Sequence, residues 1–127
     1  IISFDLNDLK KANDQYGHVH GDMLIKKAAE LINETFSGSG IVGRIGGDEF
    51  IAIISTEDTT YVEALLKQLK LRIDETNQSM PELNLSISYG YAVWNEIEEN
   101  LTERVYQLSD NRMYEYKRIY KQQRGGQ

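Results

Sequence analysis

Two acidic sites in this chain stand where the polypeptide must change direction. Asp5 ends the apolar run Ile1-Ile2-Ser3-Phe4 and is followed by Asn7 and Asp8. Asp48 and Glu49 follow Gly46-Gly47, between two runs rich in β-forming residues. Clustered carboxylates repel one another unless a cation sits between them. Hard oxygen ligands select Mg²⁺ or Mn²⁺, which in turn bring phosphates. A single acid at a loop end is simply solvated. Two such sites, one of them on a Gly-Gly turn that permits close backbone approach, point to a divalent cation.

A third polar cluster, residues 13–22, reads Asn-Asp-Gln-Tyr-Gly-His-Val-His-Gly-Asp. A guanine edge offers two donors and one acceptor; a carboxylate accepts from the two donors and an amide satisfies the rest. Asn13 and Asp22 are the right types if Gly17 and Gly21 fold the chain so that they converge. Asn, Asp and Gly also crowd turns for conformational reasons alone.

Other chemistries fail on spacing. Asp5-Leu6-Asn7 opens like a calcium loop, but the fifth position is Leu9, the required glycine is Lys10 and the closing glutamate is Tyr16. His18 and His20 are two apart with no cysteine anywhere, which does not make a zinc site. The lack of cysteine also excludes a disulfide scaffold and a thiol nucleophile, and it fits a reducing, cytoplasmic setting. A net charge of −6 repels polyphosphate chains, so a nucleic acid polymer is not the expected partner. A small anionic substrate would need local help from a metal, a lysine or backbone amides.

The elements that must position these residues are legible from pattern. The 127 residues, 40% apolar and 27% charged, fit one soluble domain, with no internal repeat, no dividing linker and no apolar run of membrane-spanning length. Residues 1–4 read as a buried strand that begins abruptly, as in a piece of a longer protein. Residues 6–16 predict a short helix broken by Gly17. Residues 22–36 predict an amphipathic helix with Leu24, Ala28, Leu31, Ile32 and Phe36 on its stripe, stopped by Ser37-Gly38-Ser39-Gly40. Residues 41–45 and 49–54 predict a hairpin turning on Gly46-Gly47-Asp48. The unbroken apolar run Phe50-Ile51-Ala52-Ile53-Ile54 predicts a central strand covered on both faces. Thr60 with Glu63 suggests a capping box before a helix to about Asn77. Leu83, Leu85, Ile87, Tyr89, Tyr91 and Val93 alternate as in a strand. A last helix starts near Asn100 and Glu103, with residues 124–127 fraying. The order β-α-α-β-β-α-β-α is a split β-α-β arrangement, an α+β ferredoxin-like fold with helices covering a mostly antiparallel central sheet.

Several segments together resemble one family. They are Asp5-Leu6-Asn7-Asp8-Leu9-Lys10-Lys11-Ala12-Asn13-Asp14-Gln15-Tyr16-Gly17-His18, then Gly21-Asp22, then Arg44-Ile45-Gly46-Gly47-Asp48-Glu49-Phe50. They are similar to the GGDEF domains of diguanylate cyclases. Ser86-Ile87-Ser88-Tyr89-Gly90, and Ser109-Asp110 through Tyr114 and Lys117, resemble that family's last strand and helix. The likeness covers nearly the whole chain. It implies a bacterial signalling enzyme that condenses two GTP into cyclic di-GMP and two pyrophosphates. It implies that Asp5, Asp48 and Glu49, with the Leu6 carbonyl, hold Mg²⁺ or Mn²⁺, and that Asp48 or Glu49 helps deprotonate the ribose 3′-hydroxyl. By the same likeness Asn13, His18 and Asp22 bind guanosine. Lys10 stabilises charge on the reacting phosphates, with Lys117 near them, and the amides of Asp8 and Leu9 cradle the terminal phosphates. The implied partners are GTP, a second copy of the domain in an antiparallel catalytic homodimer, and an upstream sensory domain in a parent chain of a kind that can be membrane-anchored.

The sequence departs from the family pattern in three places. The Leu-Thr-Gly-Leu and Asn-Arg signature before the first strand is absent. Ile119-Tyr120-Lys121 replaces the usual Gly-Arg-Asn after the last helix. Ser37-Gly38-Ser39-Gly40 replaces the Arg-x-x-Asp motif that binds product, and Arg44 is expected to serve the catalytic face instead. The alternative function is a silent GGDEF domain that binds GTP or cyclic di-GMP as a regulatory module. A receiver-like fold, with its parallel β-α repeats, is disfavoured by the Gly-Gly hairpin.

Overall fold

The first apolar run becomes the strand on which the sheet is centred. In the computed structural model, which describes residues 1–93 and 102–125, β1 (Ile2–Leu6) is buried along its whole length. It is followed by α1 (Leu9–Tyr16), α2 (His18–Phe36), β2 (Gly40–Gly46), β3 (Glu49–Ile54), α3 (Thr59–Ser79), β4 (Ile87–Tyr91) and α4 (Thr102–Gly125). The sheet order is β2-β3-β1-β4 and every pairing is antiparallel. This is the expected split β-α-β, ferredoxin-like α+β arrangement.

The two faces of β1 divide the work. Ile2, Phe4 and Leu6 belong to the main core, with Leu24, Ala28, Ile32 and Phe36 of α2, and Val62, Leu66 and Leu69 of α3. The Phe4 and Phe36 rings lie 5.4 Å apart and tilted, a favoured aromatic geometry. On the alternate positions Ser3 and Asp5 meet α4: the hydroxyls of Ser3 and Ser109 are 2.8 Å apart and buried. Helix α4 packs over β4 and β1. Its close approach is why residue 90 is glycine: a Cβ there would stand 2.2 Å from the Met113 amide nitrogen.

Several boundaries differ from expectation. Helix α2 begins at His18 rather than residue 22, so Gly21 lies within a helix and is no turn. Gly21 is instead a contact point, since a Cβ there would fall 1.7 Å from Asn13 Oδ1. The hairpin turns on Gly47 and Asp48, while Gly46 still pairs with Glu49 in a register shifted by a bulge. Strand β3 is central, but its alternate face is open. Phe50 and Ala52 are buried and Ile53 is exposed, because α4 packs mainly over β4 and β1. The cap of α3 is Asp58, whose Oδ1 accepts from the Thr60 amide at 2.9 Å, in place of the expected Thr60–Glu63 box. Strand β4 is shorter than residues 83–93. Leu83 and Leu85 are buried in the preceding loop, where Asn77 accepts from the Leu85 amide and donates to its carbonyl. Helix α4 extends to Gly125; residues 126 and 127 of the expected frayed end, and the expected start at Asn100, lie outside the described residues.

Candidate active site

The sheet brings the two acidic sites together. β1 and β3 pair with Asp5 opposite Glu49, and the Leu6 amide donates to the Asp48 carbonyl at 2.9 Å. The carboxyl end of β1 and the hairpin turn are thus joined by backbone. Arg44 stiffens the turn from its other side, with Nε and Nη2 donating to the Gly47 carbonyl at 3.1 and 2.8 Å. Asp48 is half-buried, less exposed than a bare hairpin tip would be.

Asp5 is the most constrained of these residues. Its side chain is 5% exposed, Oδ2 accepts from Lys117 Nζ of α4 at 2.6 Å, and Oδ1 is buried without a partner. Burial pushes its carboxyl up to about 6; Lys117 opposes the shift, and the neighbouring Asp48 adds to it by charge repulsion. An orphaned buried carboxylate oxygen beside a second carboxylate is a donor set that fits a hard divalent cation. Glu49 is oriented differently: it faces α4, where Tyr114 donates to its Oε1 at 2.7 Å. That bond, with burial, raises the Tyr114 phenol, and the Glu49 charge also adds to the burial that raises Asp110. Among the described residues no three acidic or histidine side chains close on one point. Asp5 and Asp48 are the adjacent pair, so a hard cation held here would draw further ligands from Glu49, carbonyls, water or phosphate, as Mg²⁺ commonly accepts.

Beside this pair the chain gathers its cations. A cavity of about 480 Å³ is lined by Leu6, Asp8, Leu9, Asp14, Asp48 and four lysines: Lys10 and Lys11 from α1, Lys117 and Lys121 from α4. Helix α1 opens here with no side-chain cap, because Asp8 holds the left-handed conformation (φ 61°) and its carboxylate does not reach the first-turn amides. An uncapped helix start presents free N–H groups and the positive end of its dipole to an anion. Asn7, buried, fixes this loop: its side chain exchanges hydrogen bonds with the Ser86 and Ser88 hydroxyls, and its amide donates to the Ser86 carbonyl.

The third cluster is only partly gathered. Asn13 sits against Gly21, and its Oδ1 is buried without a partner. Asp22 is exposed and opens on the groove between α2 and β2, with Met23, Lys26, Arg44 and Phe50. His18 is exposed at the start of α2. The Arg44 clamp and the Tyr114–Glu49 bond escape sequence reasoning, although Tyr114 stands three residues before Lys117, on the same face of one helix.

The family description "Diguanylate cyclase, GGDEF domain" matches residues 1–123. The chain belongs to this family. The GGDEF domain is 31% identical over 121 residues to the probable diguanylate cyclase DgcT of Escherichia coli K12, covering 92% of this chain and 26% of that protein. It is 32% identical over 117 residues to the diguanylate cyclase DgcS of Shewanella oneidensis MR-1, covering 92% and 38%. The chain therefore spans well under half the length of either relative. Among solved structures, the active GGEEF domain of a diguanylate cyclase from Vibrio cholerae matches 93% of this chain and 75% of that one, at TM-score 0.76 and 28% identity. The GGDEF domain so belongs to a family named for cyclic di-GMP synthesis. Among the described residues no helix is long and apolar enough to cross a membrane.

Proposed function

We propose that this GGDEF domain is an active diguanylate cyclase that joins two GTP molecules into cyclic di-GMP and releases two pyrophosphates. The observation that carries this reading is the cavity beside Asp48: in a chain of net charge −6, four lysines and an uncapped helix start converge next to the buried Asp5 and half-buried Asp48 carboxylates. Such a cavity takes a polyphosphate and holds its reacting end against the acids.

Each residue has a part. The amides of Asp8 and Leu9 and the ammonium groups of Lys10 and Lys117 bind and orient the triphosphate. Asp5, Asp48 and the Leu6 carbonyl, with Glu49 at the edge of the set, would hold Mg²⁺ or Mn²⁺. When bound, the ion offsets phosphate charge and makes the ribose 3′-hydroxyl more acidic. The 3′-oxygen of one nucleotide forms its bond to the α-phosphorus of the other, the bond to the pyrophosphate oxygen breaks, and the hydroxyl proton passes to a hairpin carboxylate, Asp48 or Glu49. The Tyr114 hydroxyl keeps Glu49 on the α4 side of the hairpin. Asn13, Asp22 and His18 select guanosine, the Asp22 carboxylate accepting from the guanine donors and the Asn13 amide donating to its acceptor. One domain offers one such cavity and the product contains two nucleotides, so the catalytic unit is two copies facing each other antiparallel.

Incubating the domain with GTP and Mg²⁺, followed by chromatography and mass spectrometry, tests the reading. Cyclic di-GMP with pyrophosphate in a 1:2 ratio supports it, whereas bound but unchanged GTP makes the domain a regulatory binding module.

A further inference from the structure

Asp5 has two acceptor oxygens in a nearly closed site, and the protein's own cation occupies one of them. Lys117 Nζ lies 2.6 Å from Oδ2, at a side-chain exposure of 16%, while Oδ1 is buried and unpartnered. Two cations cannot both neutralise one buried carboxylate without repelling each other across a short, poorly screened distance. Lys117 also lines the adjoining cavity, together with the carboxylates of Asp48, Asp8 and Asp14, and of these Asp48 acts on Asp5 by charge. The same cavity gives Lys117 somewhere to go, since Lys10, Lys11 and Lys121 surround a space suited to an anion.

We propose that Lys117 is a built-in counter-ion of Asp5 that competes with the divalent cation, so that the site takes the cation tightly only once a nucleotide phosphate draws the Lys117 ammonium away. This rests on the cation site proposed above. The lysine keeps the buried acid compensated while no substrate is present. A triphosphate entering the cavity then supplies the anion that releases the acid for the metal. Cation and nucleotide binding are thereby linked through one ammonium group, and by linkage each strengthens the other.

The test is Mn²⁺ binding to the nucleotide-free domain, read by electron paramagnetic resonance of the free ion. Lys117→Met removes the competitor and keeps the side-chain length; Lys117→Gln is a second variant with a polar end in case the Met form folds poorly, and circular dichroism checks both. Lys121→Met removes the same charge from the same cavity without touching Asp5. Lys117→Met and Lys117→Gln should bind Mn²⁺ about fivefold more tightly or better, at the low end of ordinary coupling. Lys121→Met should gain distinctly less, and Lys117→Arg should stay close to the parent. A gain in Lys121→Met equal to that in the Lys117 variants would reduce the effect to net charge and overturn the proposal, as would unchanged or weaker Mn²⁺ binding in both Lys117 variants. Mn²⁺ bound equally by all forms sinks the competition alone; no Mn²⁺ bound by any form sinks the cation site as well, whatever the GTP assay returns.

Discussion

Asp48 stands half-buried on the hairpin turn, its carbonyl tied to β1 and its carboxylate next to that of Asp5. Its truncation opens no core cavity and relieves repulsion on Asp5. Asp48→Ala should therefore melt at the parent temperature or slightly above, while turnover of GTP falls by about 10²-fold or more, the scale set by losing one preorganised electrostatic group. Initial rates at matched Mg²⁺, with a melting curve for each form, check both halves. Asp22 makes a narrower prediction. Adenine lacks the two donors that a carboxylate would accept from guanine, so Asp22 facing ATP would be left unpaired. Asp22→Ala should weaken GTP binding and shrink the preference for GTP over ATP; calorimetric titration of both nucleotides reads it, and an unaltered preference removes Asp22 from the guanine site. Asp22 opens on the α2–β2 groove while Asn13 faces Gly21, so a bound guanine would have to span from one to the other.

At the scale of elements, α4 matters because it delivers Lys117 and Tyr114 to the end of β1. Its depth on the sheet is set by Gly90, whose missing side chain lets the Met113 amide come close. Gly90→Ala must push α4 outward, at a cost of about 1–3 kcal/mol for an overpacked contact, measurable as a shifted urea midpoint. Lys117 would move with the helix, so activity should fall further than stability alone explains. The β4–α4 contact also titrates. Burial first, then the charge of Tyr116, whose ring centroid lies 4.7 Å from that of Tyr89, pushes the Tyr89 phenol up to about 12. A group whose folded pKa lies above its unfolded value near 10 gives its full stabilisation below pH 10 and loses it as pH rises through 12. Tyr89→Phe should thus flatten the loss of stability between pH 10 and 12, followed by melting temperature at successive pH values.

For the whole molecule the arithmetic of two GTP per product governs behaviour. The charge of −6 is repulsive between copies, and the exposed apolar residues include Ile41 and Ile53 on the open face of β2 and β3 rather than a heptad seam. Specific activity should rise with protein concentration, and fusion to a dimerising partner should raise it at fixed concentration by supplying effective concentration. Sedimentation beside initial-rate measurements checks this; full specific activity in a proven monomer would overturn the two-domain site.

The order of elements and the antiparallel, ferredoxin-like sheet were legible in the sequence, because hydrophobic period and glycine punctuation are local properties of the chain. So were the ends of β1 and the hairpin as acidic sites, since Asp5 and Asp48 each follow a recognisable strand or turn. Element limits were less legible. Gly21 reads as a turn residue, yet it lies inside α2 because Asn13 of a different helix needs its empty Cβ position. The run from Phe50 to Ile54 reads as doubly covered, yet only tertiary structure decides that α4 packs mainly over β4 and β1 and leaves Ile53 in solvent. The same holds for the pairings that make the site: Lys117 on Asp5 joins residues 112 positions apart, and Tyr114 on Glu49 joins residues 65 apart. No periodicity encodes such contacts. They exist because β1 and β3 pair in one register and α4 settles to one depth, and those are properties of the packed core rather than of any segment in it.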